Sequence, residues 1–271
     1  MKVRIIFGAI AVAVFLPILI FSGSFIYPTV MAILSLIACY ELLGCTRLIY
    51  RRVFFVLSLL FAAFTPVAAR YFGGISAIAL SAGAYLLLTV IYMVITQQTE
   101  ILNRVYSVCT QCIYVVCGFS SLILVRDSKF GVIMMVLVYL TAWLTDTFAY
   151  FSGALFGKHK LIPKLSPKKT VEGAIGGILL TLFISFCVLL GVGMFSETLV
   201  PNYLALMLLI LSASAISQIG DLAMSQIKRY YNVKDYGKIM PGHGGVMDRF
   251  DSVLLVAPFM YYMTTQGLIL K

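Results

Sequence analysis

Long, continuously apolar runs separated by short polar breaks set the pattern of this chain. Nine runs stand out, at approximately 5–21, 25–43, 53–69, 75–95, 105–125, 131–151, 173–195, 203–222 and 252–270. Each is close to the ~20 residues that a helix needs to cross a hydrocarbon core of roughly 30 Å. Barrel strands would alternate apolar and polar positions, and these runs do not. The pattern predicts an all-α, polytopic integral membrane protein with about nine transmembrane helices. The first run follows Lys2 and Arg4, as that of a signal peptide would, but the spans behind it favour a retained first helix.

Composition agrees with the pattern. Hydrophobic residues make up 62% of the 271 and charged residues 11%, against about a quarter charged in soluble domains, so most of the outer surface faces lipid. Polar length is concentrated late. Residues 1–125 are expected to form the first five spans with short connections. Residues 126–271 are expected to hold the remaining spans and the catalytic site, in the polar segments 152–172 and 223–251 before helices 7 and 9. No linker or repeat marks a soluble domain or an inverted-repeat transporter.

The net charge of +10 does not make a nucleic-acid surface, because the basic residues sort by loop. Lys2, Arg4, Arg47, Arg51, Arg52 and Arg104, five residues in 152–172 and five in 223–251 fall on one side of a nine-span chain. Arg70, Arg126, Lys129 and Lys271 fall on the other. The positive-inside rule places the N-terminus and both long loops in the cytoplasm, and the protein in the cell membrane. Cys109 and Cys112 lie one helical turn apart with no further ligands, so they read as packing rather than zinc or redox chemistry. Gly173, Gly176 and Gly177 allow close helix approach and permit, without requiring, a homodimer through membrane helices.

Acids inside spans are costly and point to chemistry. Glu41 lies near the end of the second span, where snorkelling to the interface is one reading. Asp146 lies well inside the sixth, and Asp221 near the end of the eighth. Helical spacing puts Asp221, Ser225 and Lys228 on one face, with Arg229 beside them. Asp248 and Asp251 are three apart, and two close carboxylates repel unless protonated or bridged by a cation. With Asp221 they make an oxygen-only donor set suited to Mg²⁺, or Mn²⁺. Gly242, Gly244 and Gly245 around His243 allow tight turns and close ligand approach, and His243 reads as a turn residue or phosphate contact. In the earlier segment, Ser166 and Pro167 read as a helix N-cap and first helical position. Lys168 and Lys169 would then sit at the positive end of a helix, a phosphate cradle.

These residues resemble a known family. Ser225, Lys228 and Arg229, then Lys234 and Asp235, then Pro241 to Gly245, then Asp248, Arg249 and Asp251 are similar to the signature of the phosphatidate cytidylyltransferase (CDP-diacylglycerol synthase) family. The Asp146 segment and residues 166–173 also resemble it, and the span count agrees, whereas the first 125 residues match only in being helical. Met240 stands where the family usually has Leu, Ile or Phe, and Met224 where many relatives carry an acid. The resemblance implies transfer of CMP from CTP to the phosphate of phosphatidic acid, giving CDP-diacylglycerol and pyrophosphate. It implies that Asp221 and Asp248 hold Mg²⁺, with Asp251 as a further ligand and Asp146 completing the pocket; an auxiliary monovalent cation is compatible with the same donors. It assigns Lys168, Lys169, Ser225, Lys228, Arg229 and Lys234 to the phosphates, and Asp235, His243 and Arg249 to the loop and nucleotide. The rival from another class is a transporter using Asp146 and Asp221 as an ion path, which leaves the glycine-rich loop unexplained.

Overall fold

The computed structural model describes residues 17–195, 202–239 and 244–267. In chain order its main elements are α1 (Ile26–Cys45), α2 (Arg52–Tyr71), α3 (Ile75–Thr96), α4 (Leu102–Asp127), α5 (Gly131–Phe156), β1 (Lys160–Ile162), β2 (Ser166–Thr170), α6 (Val171–Phe195), α7 (Tyr203–Tyr230), α8 (Met247–Phe250) and α9 (Val253–Thr265). Among the described residues seven helices, α1 to α7, are long and apolar enough to cross a membrane, so the protein is an all-α polytopic membrane protein. The expected last span is shorter than foreseen: α9 has 13 residues, and residues 268–271 lie outside the described part. The expected first span also lies mostly outside it, with residues 17–20 helical.

Contacts divide the chain into two compact units, Met1–Asp127 with Tyr230–Phe250, and Ser128–Arg229 with Asp251–Lys271. In the first unit α4 is the central element. It packs on α1, α2 and α3, and 72% of its most apolar window is buried, against 22% for α3. The outer helix α3 accordingly exposes Leu80, Leu87, Val94 and Ile95, the surface a lipid-facing helix shows. Inside, the Phe61 and Tyr85 rings stack at 4.5 Å, and the Tyr85 hydroxyl finds the Ser58 hydroxyl at 2.7 Å. Two basic residues outside the majority set are structural. Arg70 donates to the Ser22, Gly23 and Ser24 carbonyls and pairs with Asp127 at 3.2 Å, while Arg126 donates to the Ser22 hydroxyl at 2.5 Å.

In the second unit α5 and α6 pack tightly because glycine removes side chains at their contact. A Cβ on Gly173 would come 2.6 Å from the Ala149 carbonyl oxygen, and one on Gly177 2.8 Å from that of Thr145. The small-residue face seen in the sequence is thus occupied by α5 of the same chain. The Thr145 hydroxyl ties in α6 and α7 through Thr181 at 3.3 Å and Ser214 at 3.1 Å. Such hydroxyl links are cheap in lipid because each donor stays satisfied without a charge.

One expectation is overturned. Ser166 and Pro167 do not start a helix; Ser166–Thr170 is a strand paired antiparallel with Lys160–Ile162. The helix begins at Val171, and its cap is Thr170, whose hydroxyl accepts from the Gly173 N–H at 3.1 Å. Glu172 closes the hairpin base by accepting from the Lys158 and His159 N–H groups and from the His159 ring. Lys168 and Lys169 therefore lie on a strand, not in the first turn of a helix.

Gly177→Ala is expected to destabilise the detergent-solubilised protein by about 2 kcal/mol, the scale of overpacking against fixed atoms. Gly191→Ala, where an added Cβ meets nothing within 4 Å, should leave the thermal midpoint nearly unchanged. Equal midpoints for the two variants would contradict the α5–α6 contact.

Candidate active site

The second unit gathers three of the expected acids. Asp146 comes from α5, Asp221 from α7, and Asp251 from the turn before α9. Glycine makes the approach feasible: a Cβ on Gly220 would lie 2.9 Å from the Asp251 carbonyl oxygen, so only glycine lets α7 lie against that turn. Ser252 bridges two of the acids. Its hydroxyl lies 2.5 Å from Asp146 Oδ2 and 3.3 Å from Asp251 Oδ1, and its N–H donates to Asp251 Oδ1 at 2.9 Å. The third acid takes an ammonium group: Lys169 pairs with Asp221. The helical face expected on α7 is present, with the Ser225 hydroxyl 3.4 Å from Asp221 Oδ1 and Lys228 buried one turn further.

The electrostatics of this group are strained. Asp251 is 7% exposed. Burial pushes its carboxyl well above the usual carboxylate range, the Asp221 and Asp146 charges push it further, and the Lys228 ammonium opposes them. A divalent cation would relieve this repulsion. The donors are all carboxylate and hydroxyl oxygens, the chemistry that Mg²⁺ and Mn²⁺ accept. Among the described residues no group of three His, Cys, Asp or Glu forms a ready-made metal cage; Lys169 and Ser252 stand among the acids instead. Carboxylate and hydroxyl oxygens are the donor type that a hard cation accepts.

The first unit holds the other end of the signature. Asp248 is buried, and its Oδ2 accepts from the Tyr236 N–H at 2.8 Å and the Gly245 N–H at 3.0 Å. Gly244 adopts φ +83, a left-handed conformation that glycine enters without strain. A Cβ there would also come 2.8 Å from Asp248 Oδ2. Lys234, Asp235 and Arg249 are exposed, and His243 lies outside the described residues. In the second unit Lys168 is exposed, and Arg229 donates to the Leu165 carbonyl at 3.4 Å. Met224 is buried.

Two residues hold places that the sequence does not assign them. Ser252 gave no signal beyond adjacency to Asp251. Glu41 was visible as an acid in a span, but it does not snorkel: it is buried, and its oxygens accept from the Val246 and Met247 N–H groups at 3.1 and 3.0 Å. No local pattern announces a partner so distant in sequence.

With this geometry in place, comparison with known proteins adds the relatives. A model described as the cytidylyltransferase family matches residues 2–266. The chain is similar to the phosphatidate cytidylyltransferase of Bacillus subtilis (strain 168), 36% identical over 268 residues that cover 97% of each chain. It is also similar to the phosphatidate cytidylyltransferase of Staphylococcus haemolyticus (strain JCSC1435), 35% identical over 272 residues covering 98% of this chain and 100% of the other.

The raised Asp251 carboxyl carries a stability consequence. A group whose folded value is raised adds stability below its unfolded value and loses it as pH rises through the folded one. Asp251→Asn, which stays neutral, is therefore expected to raise the thermal midpoint of metal-free protein by a few degrees at neutral pH. The gain should vanish below the ordinary carboxylate range, near 3.9. A lower midpoint at neutral pH would contradict the crowding of these acids.

Proposed function

The chain belongs to the cytidylyltransferase family, and we propose that it transfers CMP from CTP to the phosphate of phosphatidic acid in phospholipid biosynthesis. It is an enzyme, a CTP-dependent nucleotidyltransferase. The observation that carries the proposal is the meeting of Asp146, Asp221 and Asp251 with Lys169 and the buried Lys228 in one unit. Such a group suits the handling of several phosphates and their counter-ion.

In this reading an oxygen of the lipid phosphate attacks the α-phosphorus of CTP. A new P–O bond forms, the bond to the α–β bridging oxygen breaks, and its electron pair leaves with pyrophosphate. The attacking oxygen is already anionic, so no general base is needed. The protein's work is to hold two mutually repelling phosphates in line and to offset their charge. Lys169 and Lys228 neutralise phosphate oxygens, and Ser225 orients Asp221. Asp221 and Asp251, with Asp146 beside them, would hold Mg²⁺ or Mn²⁺, which when bound supplies charge neutralisation at the transferring phosphoryl group. Asp248 organises its loop through Oδ2 and keeps its place among the catalytic acids through its charge. Lys168, Arg229, Lys234 and Arg249 meet phosphates at the surface, and Asp235 and His243 shape the loop. The distribution of basic residues supports placing these loops on the cytoplasmic side of the cell membrane. The lipid then enters sideways, with its tails kept in the bilayer. An ion path through Asp146 and Asp221 has no observation in its favour, since Lys169 and Ser252 hold those acids.

Purified protein with Mg²⁺, phosphatidic acid and each of the four nucleoside triphosphates in turn should release pyrophosphate and form a nucleotidyl lipid with CTP alone. Folded protein that forms none would overturn the reading. Asp248→Asn retains an oxygen for the Tyr236 and Gly245 N–H groups but loses the charge. Its turnover should fall by at least about a hundredfold, the scale of losing one transition-state electrostatic contact, with the protein still in the membrane fraction. Wild-type turnover would remove Asp248 from the catalytic acids.

A further inference from the structure

Glu41 is the buried acid that the transfer chemistry leaves unused. It lies in α1, only 4% exposed, where an ionised carboxylate is expensive unless donors meet it. Its two oxygens accept separately from successive N–H groups, Oε1 from Val246 at 3.1 Å and Oε2 from Met247 at 3.0 Å. The preceding N–H, that of Gly245, goes to Asp248 Oδ2 at 3.0 Å. Three consecutive backbone donors are thus taken by two carboxylates, and the Tyr236 N–H adds a fourth bond to Asp248 at 2.8 Å. Carboxylate acceptors make these bonds about twice as strong as neutral ones.

The glycines of this segment are cut to fit Glu41. A Cβ on Gly245 or on Gly237 would collide with the Glu41 carboxylate. Gly245 therefore serves the approach of an acid from α1, whereas the sequence alone suggested the approach of a ligand. All these residues belong to the same compact unit.

We propose that Glu41 is a positioning residue for nucleotidyl transfer: through the Val246 and Met247 N–H groups it fixes the start of α8 and so the placement of Asp248. This rests on the function proposed above. It also gives α1 a part in the reaction, although the helix carries none of the signature. The carboxylate is specifically required. An amide in its place offers one acceptor and one donor to two N–H groups, so one pair becomes donor against donor.

The test uses the full-length protein in detergent with phosphatidic acid, comparing wild type, Glu41→Gln, Gly245→Ala and Glu41→Ala/Gly245→Ala. For Glu41→Gln, kcat per folded molecule should fall roughly tenfold or more, since each 1.36 kcal/mol of lost positioning is tenfold. The KM for phosphatidic acid should stay near wild type. Amide exchange at Gly245, Val246 and Met247 should quicken by on the order of tenfold, with exchange in α2 and α3 unchanged. Adding Gly245→Ala to Glu41→Ala should cost less than Gly245→Ala alone costs, because the collision partner is gone. A purely structural role would instead lower the yield of folded protein and leave its kcat unchanged, which overturns the proposal. Wild-type kcat and wild-type exchange in Glu41→Gln overturn it as well. If exchange quickens in Glu41→Gln while wild type shows no CTP-dependent activity, the functional reading has failed and the positioning role falls with it. If wild type is active and Glu41→Gln matches it, the Glu41 proposal fails alone.

Discussion

A carboxylate surrounded by apolar helices has to be met by donors, and this requirement shapes the protein more than any other single constraint. Water is scarce at such positions, and an unmet charge would cost several kcal/mol or neutralise itself. The chain meets its acids with different donors. Backbone N–H groups serve Glu41 and Asp248, a guanidinium serves Asp127, an ammonium serves Asp221, and one serine serves Asp146 and Asp251 together. The Glu41, Asp127, Asp146 and Asp221 pairings join segments that lie apart in sequence. The fold is held in register by these contacts, on a background of helix packing that glycine makes close.

The donors also separate the acids by purpose. Backbone N–H groups are fixed and cannot be displaced by a substrate. Glu41 and Asp248 are therefore suited to organise a loop. A lysine ammonium and a serine hydroxyl are mobile and can be exchanged for a metal ion or a phosphate. Asp221 and Asp146 have such partners, Asp251 has the Ser252 hydroxyl beside its backbone bond, and the repulsion from Asp221 and Asp146 at Asp251 favours the arrival of positive charge. This difference, more than the number of acids, supports assigning the phosphoryl chemistry to Asp221 and Asp251.

Much of this was legible in the sequence, because lipid imposes a simple rule. Seven apolar runs became helices at close to the expected positions, since a helix in lipid must satisfy its own backbone. The i, i+4, i+7 face of Asp221, Ser225 and Lys228 followed from helix geometry in the same way. What failed was local polar structure. The β1–β2 hairpin is short and charged, and the Ser166–Pro167 pair imitates a helix start that the pairing with Lys160–Ile162 overrides. Glu41 was legible as an anomaly, but its partners were not, because nothing in the residues near position 41 refers to the glycines at 237 and 245. Gly245 looked like a ligand-binding glycine for the same reason.

We propose that the acids of the second unit hold a divalent cation. Binding of Mn²⁺ to the purified protein without nucleotide, followed by electron paramagnetic resonance, tests it directly and without reference to turnover. Saturable binding that Mg²⁺ displaces and that Asp221→Asn/Asp251→Asn abolishes is the expected result. Mn²⁺ bound as well by that double variant as by wild type would contradict it.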